Sequence, residues 1–352
     1  MEPHEAHVDH SEAGGRAERA RRDRTERSLM DPIVLITAIL AVILLKVTPI
    51  LLAAIGGSFT QTGNVLNIGL EGMMLMGAFS AVAIGAITNA FVGIAAALVA
   101  GVVMALIFAV AALTFKADVI VVGIGINLLA AGLAVLLLTV LYGNAGATPP
   151  GVQANLPKID LGIVGDIPVI GTMLNNQTIL VWVAILAVPA YAFVLYRTRF
   201  GVHLRAVGED EPAALAAGIN VFRVKFISIL LSGAFAGVAG AQLAMATVGT
   251  FTSGMTASRG FIAVAALTFG LARPYRTMIA CVIFGVAEAL ADQLGLLGVN
   301  SSLSLTLPYI ITIIALVFAS VRVRAAIKAR TKKALQSADA AAPAPAASAA
   351  AA

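Results

Sequence analysis

The sequence predicts an all-α integral membrane protein of about ten transmembrane helices (a range of roughly eight to ten), including broken or re-entrant segments. Three observations carry that expectation. Hydrophobic residues make up 60% of the 352 positions and the mean hydropathy is +0.96, whereas soluble domains are roughly 45–50% apolar. Charged residues are 12% of the chain, about half the soluble norm of about 25%. They are also unevenly placed: between Met30 and Arg197 they are only Asp31, Lys46, Glu71, Lys116, Asp118, Lys158, Asp160 and Asp166. A spanning helix needs about 20 predominantly apolar residues, and the intervals between these charges supply them repeatedly.

The chain reads as three parts. Residues 1–28 carry dense mixed charge and almost no large apolar side chain, so they predict a disordered cytoplasmic tail. Acidic residues precede the basic ones and no short apolar stretch ends in a cleavage site, which excludes a signal peptide. Residues 29–321 predict the membrane domain. Residues 322–352 turn basic and then Ala/Pro-rich, a cytoplasmic low-complexity tail. His4, His7 and His10 share a three-residue spacing, but with acids interspersed and no scaffold they read as solvated tail rather than metal ligands. Cys281 is the single cysteine, which excludes a disulfide framework or cysteine metal site within the chain. The net charge of +5 is explained by basic residues flanking membrane spans, not by nucleic-acid binding.

Basic clusters at Arg21–Arg27, Lys116, Arg197–Arg205 with Arg223 and Lys225, Arg273–Arg276 and Arg322–Lys333 are placed on the cytoplasmic side. An even number of crossings then separates neighbouring clusters, with both termini inside. The expected spans are Leu29–Val47 and Pro49–Gln61 around a turn at Thr48-Pro49, Ile68–Thr88, Phe91–Phe115, Val119–Tyr142, Thr178–Tyr196, Phe226–Val248, Thr277–Leu294 and Leu303–Val321. The Gly-, Pro- and Asn-rich stretch before Thr178 predicts an outside loop with several turns. Phe261–Ala272 is too short for an upright span and predicts a half-helix. Small residues in GAFAGVAGA (233–241) and GVVMA (101–105) predict close helix packing.

The longest polar stretch between spans, 196–225, has a helix at its centre. Gly208 precedes Glu209, Asp210 and Glu211, Pro212 falls where a first turn tolerates it, Ala213 and Ala214 follow, and Gly218 before Ile219 stops the helix. Acidic residues suit the positive end of the helix dipole. With Arg205 on one side and Arg223 and Lys225 on the other, the segment 205–219 is either a cytoplasmic docking element or an ordinary connecting loop. His203 falls on the same surface.

The segment GEDEPAALAAGI followed by NVFRVKFISILLSGAFAGVAGA resembles the coupling segment of permeases in the ribose, branched-chain amino acid and nucleoside group of ABC importers. GNVLNIGLEGMMLMGAF (63–79) and SRGFIAVAALTFG (258–270) are similar to signatures of its nucleoside-uptake branch. Sugar permeases of the group carry a Gly-Ile-Asp-Leu-Ser-type motif where this chain has Asn-Ile-Gly-Leu-Glu-Gly. The resemblance covers about Thr48 to Val321. It departs at Glu209-Asp210-Glu211-Pro212, where the family more often has Glu-Asn-Pro.

The resemblance implies a type II ABC importer-like permease fold in a bacterial cytoplasmic membrane. It implies an ABC ATPase subunit docked on the coupling segment, a second and different permease completing a heterodimer, and an extracytoplasmic substrate-binding lipoprotein. The chain has no G-x-x-x-x-G-K-[ST] phosphate loop, so it is expected to be a transport subunit and not an enzyme. It needs no cofactor of its own, and ATP and Mg are used by the partner ATPase.

Substrate-pathway candidates are Asn64, Asn67 and Glu71, where Gly63 and Gly69 interrupt an apolar run, and Asn127 in VVGIGINLLAAG. Broken helices near the membrane midplane are the usual construction of a transporter site, and a carboxylate in a span costs roughly 2.5–3.5 kcal/mol, so Glu71 should face the bundle or water. Amide and carboxylate groups suit the hydroxyls and base edges of a nucleoside. The alternatives are that these residues brace the break or sit between permeases. Glu288 and Asp292, four apart on one helix face, suggest an aqueous lining, a basic partner such as Arg259, or proximity to the outer surface. Phe79, Met73, Met74 and Met76 read as packing rather than base stacking. A simple-sugar permease of the ribose or galactose type is the alternative within the class. An ion-coupled secondary transporter would share the broken helices. An intramembrane enzyme has no H-E-x-x-H, Ser–Lys or Asp–Asp motif to support it.

Overall fold

A single helix, α1, runs from Pro32 to Thr62 and opens the computed structural model, which describes residues 32–160, 162, 173–296 and 310. The tails expected at 1–28 and 322–352 and the span at 303–321 lie outside the described residues. Apart from the last turns of α10 and Asp292, the features discussed below belong to the compact unit that ends at Leu290.

Two short spans separated by a turn at Thr48-Pro49 are replaced by α1, with Pro49 inside the helix. The Thr48 hydroxyl donates to the Leu44 carbonyl at 2.7 Å. The paired crossings expected for residues 29–61 therefore become one, and the parity argument fails there. The Thr62 end of α1 meets Gly208 and Tyr191, whereas Lys46 faces the far end of the bundle near Thr247 and Val248.

Helix α2 covers Leu70–Gly85 and α3 covers Ala90–Ala109, continuing through a π turn at Val110–Thr114. Asn89 caps α3 by accepting from the Val92 N–H at 3.0 Å. Asp118 caps α4, Val119–Tyr142, at Ile120 and Val121, and Gly143 ends it with φ +66°. The loop that follows holds a small antiparallel pair, β1 (Lys158–Ile159) with β2 (Gln177–Thr178). Its earlier part folds back over 245–252, where the Thr148 N–H donates to the Phe251 carbonyl and the Ala154 N–H to Gly249, both at 2.9 Å. Next come α5 (Ile179–Arg197), α6 (Arg199–Glu209), α7 (Glu211–Ala216), and α8 (Val221–Leu243) with a π turn at Ala244–Val248. Helices α9 (Arg259–Phe269) and α10 (Pro274–Leu296) complete the described elements.

Six helices among the described residues are long and apolar enough to cross a membrane. Two more are apolar but short: α2 has 16 residues and α9 has 11, so they rise about 24 and 16 Å against a hydrocarbon core of about 30 Å. The half-helix expected at 261–272 is α9. The full span expected at 68–88 is shortened at both ends to α2: Ile68 and Gly69 belong to the irregular stretch after Gly63, and the helix stops at Gly85. The chain is a multi-pass membrane protein.

Helix α8 is the centre of the bundle, with α1, α2 and α3 packed around it. Small residues make that possible. A methyl group on Gly237 would run into the Ala97 carbonyl, and one on Gly240 into the carbonyl of Met74. Close backbone approach is how helices gain contact where lipid offers no hydrophobic drive. Met73, Met74, Met76 and Phe79 are buried in this core, and Phe79 meets Phe251 edge-on at 5.3 Å. Val121, Leu128 and Val140 of α4 are exposed, as lipid-facing positions are.

Candidate functional site

The chain breaks between α1 and α2. Asn64 turns it in the left-handed region at φ +58°, a conformation asparagine tolerates; its side chain is exposed. Asn67 is 2% exposed. Its Oδ1 accepts the Gly69 N–H at 3.0 Å and its Nδ2 donates to Ser232 Oγ on α8 at 2.9 Å. From α4, Asn127 Oδ1 accepts the Gly72 N–H at 2.8 Å and Nδ2 donates to the Ile68 carbonyl at 3.1 Å. Both amides thus serve backbone groups that the break leaves without helical partners.

Glu71, in the first turn of α2, reaches across to α9. Its Oε1 accepts the Ser258 N–H at 2.9 Å and its Oε2 the Gly260 N–H at 2.7 Å. Ser258 stands at the start of α9 with φ +65° and supplies no cap of its own. The carboxylate therefore takes the place of an N-cap side chain, with the helix dipole in its favour. The structure brings Asn67, Glu71 and Asn127 together around the break. Asn64 stays apart on the turn.

A second polar cluster lies beside the start of α9. The Arg259 guanidinium donates through Nε to Glu288 Oε1 at 2.8 Å and also through Nη2, while Nη1 donates to the Met255 carbonyl at 3.1 Å. Lys46 Nζ is 3.7 Å from the same carboxylate oxygen. Glu288 is 7% exposed, so burial without these cations would be costly. Arg259 is the basic partner that the Glu288–Asp292 spacing suggested; Asp292 is exposed. Lys46 was not recognised as a third member from sequence, although a lone cation in a span signals a buried partner. Gln242 was also missed: it is 1% exposed, its Oε1 accepts from Thr178 Oγ1 at 2.9 Å, and its Nε2 has no partner among the described residues.

The polar segment 196–225 forms two helices rather than one. Helix α6 begins where Thr198 accepts the Gly201 N–H at 3.2 Å, and it seats Leu204 and Val207 on the bundle. Glu209 ends α6 rather than starting the next helix. Asp210 caps α7 by accepting the Ala213 N–H at 2.9 Å, and Pro212 lies in the first turn. Gly218, at φ +81°, closes α7, with the Ile219 N–H on the Ala214 carbonyl at 3.0 Å. Gly208 marks a close approach instead of a helix start, because a methyl there would collide with the Thr62 carbonyl. Ala214 anchors α7, while Arg205, Glu209, Asp210, Glu211, Pro212 and Ala213 are exposed; His203 is exposed on α6. Lys225 ties α7 to α8 through Glu211 at 2.7 Å, and Arg205 lies over the Tyr196 ring at 5.5 Å. The result is a two-helix shelf. Beneath it Tyr191 donates to the Ala272 carbonyl at 2.8 Å, locking α5 to the end of α9.

A family model described as branched-chain amino acid transport system / permease component matches residues 39–316. The chain belongs to this permease family. The guanosine ABC transporter permease protein NupQ of Bacillus subtilis is 34% identical over 302 residues, 82% of this chain and 93% of that one. The nucleoside ABC transporter permease protein NupC of Lactococcus lactis is 36% identical over 290 residues, 79% of this chain and 90% of the relative. TsgC13 of Haloferax volcanii, a permease whose name assigns it provisionally to glucose, is 32% identical over 318 residues, 82% and 94% of the two chains. No solved structure matches the chain. The family gives the two-helix shelf, the half-helices α2 and α9, and the break between α1 and α2 the setting of an ABC permease subunit.

Proposed function

We propose that this permease forms half of the pathway by which an ABC importer takes up nucleosides, driven by an ATPase that docks on α6 and α7. The observation that carries the substrate class is the pair of relatives named for guanosine and nucleoside transport, matched over at least 90% of their own lengths. The docking surface is supported by geometry: α6 and α7 are anchored by Leu204, Val207 and Ala214 yet present Glu209, Asp210, Glu211 and Pro212 outward. The chain carries no phosphate loop, so ATP and Mg belong to the partner. A second, different permease completes the pore, and an extracytoplasmic lipoprotein delivers substrate.

Simple-sugar transport is the second reading, favoured by the glucose-named relative. The deciding experiment reconstitutes the chain with its ABC ATPase, second permease and substrate-binding lipoprotein. ATP-dependent uptake of labelled guanosine, competed by other nucleosides and not by ribose or glucose, is the expected result. Competition by sugars alone overturns the nucleoside reading. Uptake that follows an ion gradient without ATP overturns the importer class.

A further inference from the structure

We propose that the cavity between α6 and the ends of α1, α5 and α9 binds the headgroup of an anionic phospholipid, its phosphodiester held between Arg205 and Arg273. The inference takes from the reading above only that the α6 side of the bundle is cytoplasmic, and its ligand is not the transported one. The cavity has a volume of about 690 Å³, inside the roughly 300–1,000 Å³ range of small-molecule sites.

Its charge suits a phosphate monoanion. Arg205 lines it from α6 and Arg273 from the turn between α9 and α10, and among the described residues neither forms an ion pair. Arg205 lies over the Tyr196 ring at 5.5 Å, a contact that orients a guanidinium and leaves its N–H edge unused. That edge is a planar fork of donors matched to phosphate oxygens. Glu209 is the one carboxylate lining the cavity, so two guanidinium groups against it leave a single positive charge. Its oxygens accept from the hydroxyls of a glycerol headgroup.

The surroundings put the cavity at headgroup depth. Tyr196 stands at the end of α5 and Tyr275 at the start of α10, both exposed, and tyrosine collects where spans meet the interface. Arg197, Arg199, Arg223, Lys225 and Arg276 lie at helix ends on the same side. An excess of cations marks the cytoplasmic face, where the leaflet is anionic and basic pockets between helices take lipid headgroups. Leu271 lines the cavity and is 64% exposed, and the exposed side of α5 continues from Tyr196 through Phe193 and Leu186. An acyl chain covers that apolar face while its phosphate stays among the arginines; a free phosphate would leave it bare. A diester bridging Arg205 and Arg273 joins the shelf to the end of α9.

The test places the complete importer in nanodiscs of phosphatidylglycerol, phosphatidylethanolamine and phosphatidylcholine in equal parts, and reads retained lipid by native mass spectrometry. Phosphatidylglycerol should be retained about fivefold over either neutral lipid. Arg273→Gln should remove the preference. Arg276→Gln, which takes the same charge from an exposed side chain outside the cavity lining, should keep it. Equal retention of the three lipids by the wild type overturns the proposal, as does a wild-type preference in Arg273→Gln. Equal loss in both variants also overturns it, because the attraction is then that of a basic surface. Should Arg273→Gln fail to assemble, phosphatidylglycerol with a photoreactive headgroup maps the site on the wild type. Crosslinks within 196–209 and 268–273 are expected, and crosslinks only elsewhere overturn the site. Displacement of the lipid by inorganic phosphate assigns the cavity to a free anion, and displacement by guanosine assigns it to the substrate pathway; either overturns the lipid. None of these readouts uses nucleoside uptake, so failure of the nucleoside reading leaves them standing.

Discussion

Replacing Glu71 by alanine removes the acceptor from two backbone N–H groups at the start of α9, those of Ser258 and Gly260. A hydrogen bond inside a membrane bundle is worth about 0.6–2 kcal/mol, and a charged acceptor roughly doubles that. Glu71 is half-buried, so the lower part of the range applies, and the pair contributes about 2–4 kcal/mol. At about 2–4 °C per kcal/mol for a domain of this size, Glu71→Ala should lower the Tm of the purified complex by roughly 5–15 °C. Glu71→Gln keeps one good acceptor and should lose about half as much. The fluorescence of Trp182, the single tryptophan, follows unfolding in detergent, and uptake assays run alongside. An alanine variant with wild-type Tm refutes the capping role. A glutamine variant with wild-type Tm but altered nucleoside selectivity would show that Glu71 touches substrate instead.

Gly208→Ala should push α6 off the Thr62 carbonyl and reduce both uptake and co-purification of the ATPase, while the chain still inserts into membranes; unchanged uptake would separate this contact from coupling. Gly218→Val places a β-branched residue at φ +81°, at a cost of about 1–3 kcal/mol, and should lower uptake with normal insertion. Normal uptake by that variant would remove α7 from the coupling surface. Glu288→Gln leaves Arg259 and Lys46 beside a neutral group and should destabilise the complex by about 3–5 kcal/mol, seen as a fall in Tm. Adding Arg259→Gln should recover part of the loss, and a single variant as stable as the wild type would contradict the cluster.

The helices were legible wherever hydropathy had one period and no interruption. Val119–Tyr142 coincides with its expected bounds, because Asp118 and Gly143 punctuate it in sequence as they do in space. Thr48-Pro49 misled because a proline reads as a break in water, whereas a long apolar helix in a membrane bundle tolerates one and continues through it. The second helix of the shelf was partly legible: Pro212 and Gly218 marked its ends, but the acids before it were divided between the end of α6 and the cap of α7. Helix α6 was not expected, because Gly208 reads in sequence as the residue before a helix, whereas it lies inside one. Gly201 and Gly208 are glycine for close packing, against Val194 and Thr62.

The candidate site was legible as a place and not as a set of roles. Two half-helices begin inside the bundle, and neither supplies its own cap: Gly69 has no side chain and Ser258 makes no capping bond. Water is scarce at that depth, so the orphaned N–H groups draw acceptors from elsewhere in the chain. Asn67 serves Gly69, Asn127 serves Gly72, and Glu71 serves Ser258 and Gly260. A polar residue in an interrupted apolar run therefore signals the break itself, whether or not substrate passes there. A side chain whose hydrogen-bonding ends are both occupied has little left with which to read a ligand. The amides of Asn67 and Asn127 are in that state, whereas Gln242 is held by its oxygen and its nitrogen has no partner among the described residues. Asn67 lies in the break itself while Asn127 and Gln242 sit in apolar helices, and only the partner of each side-chain atom shows which of these amides braces the break.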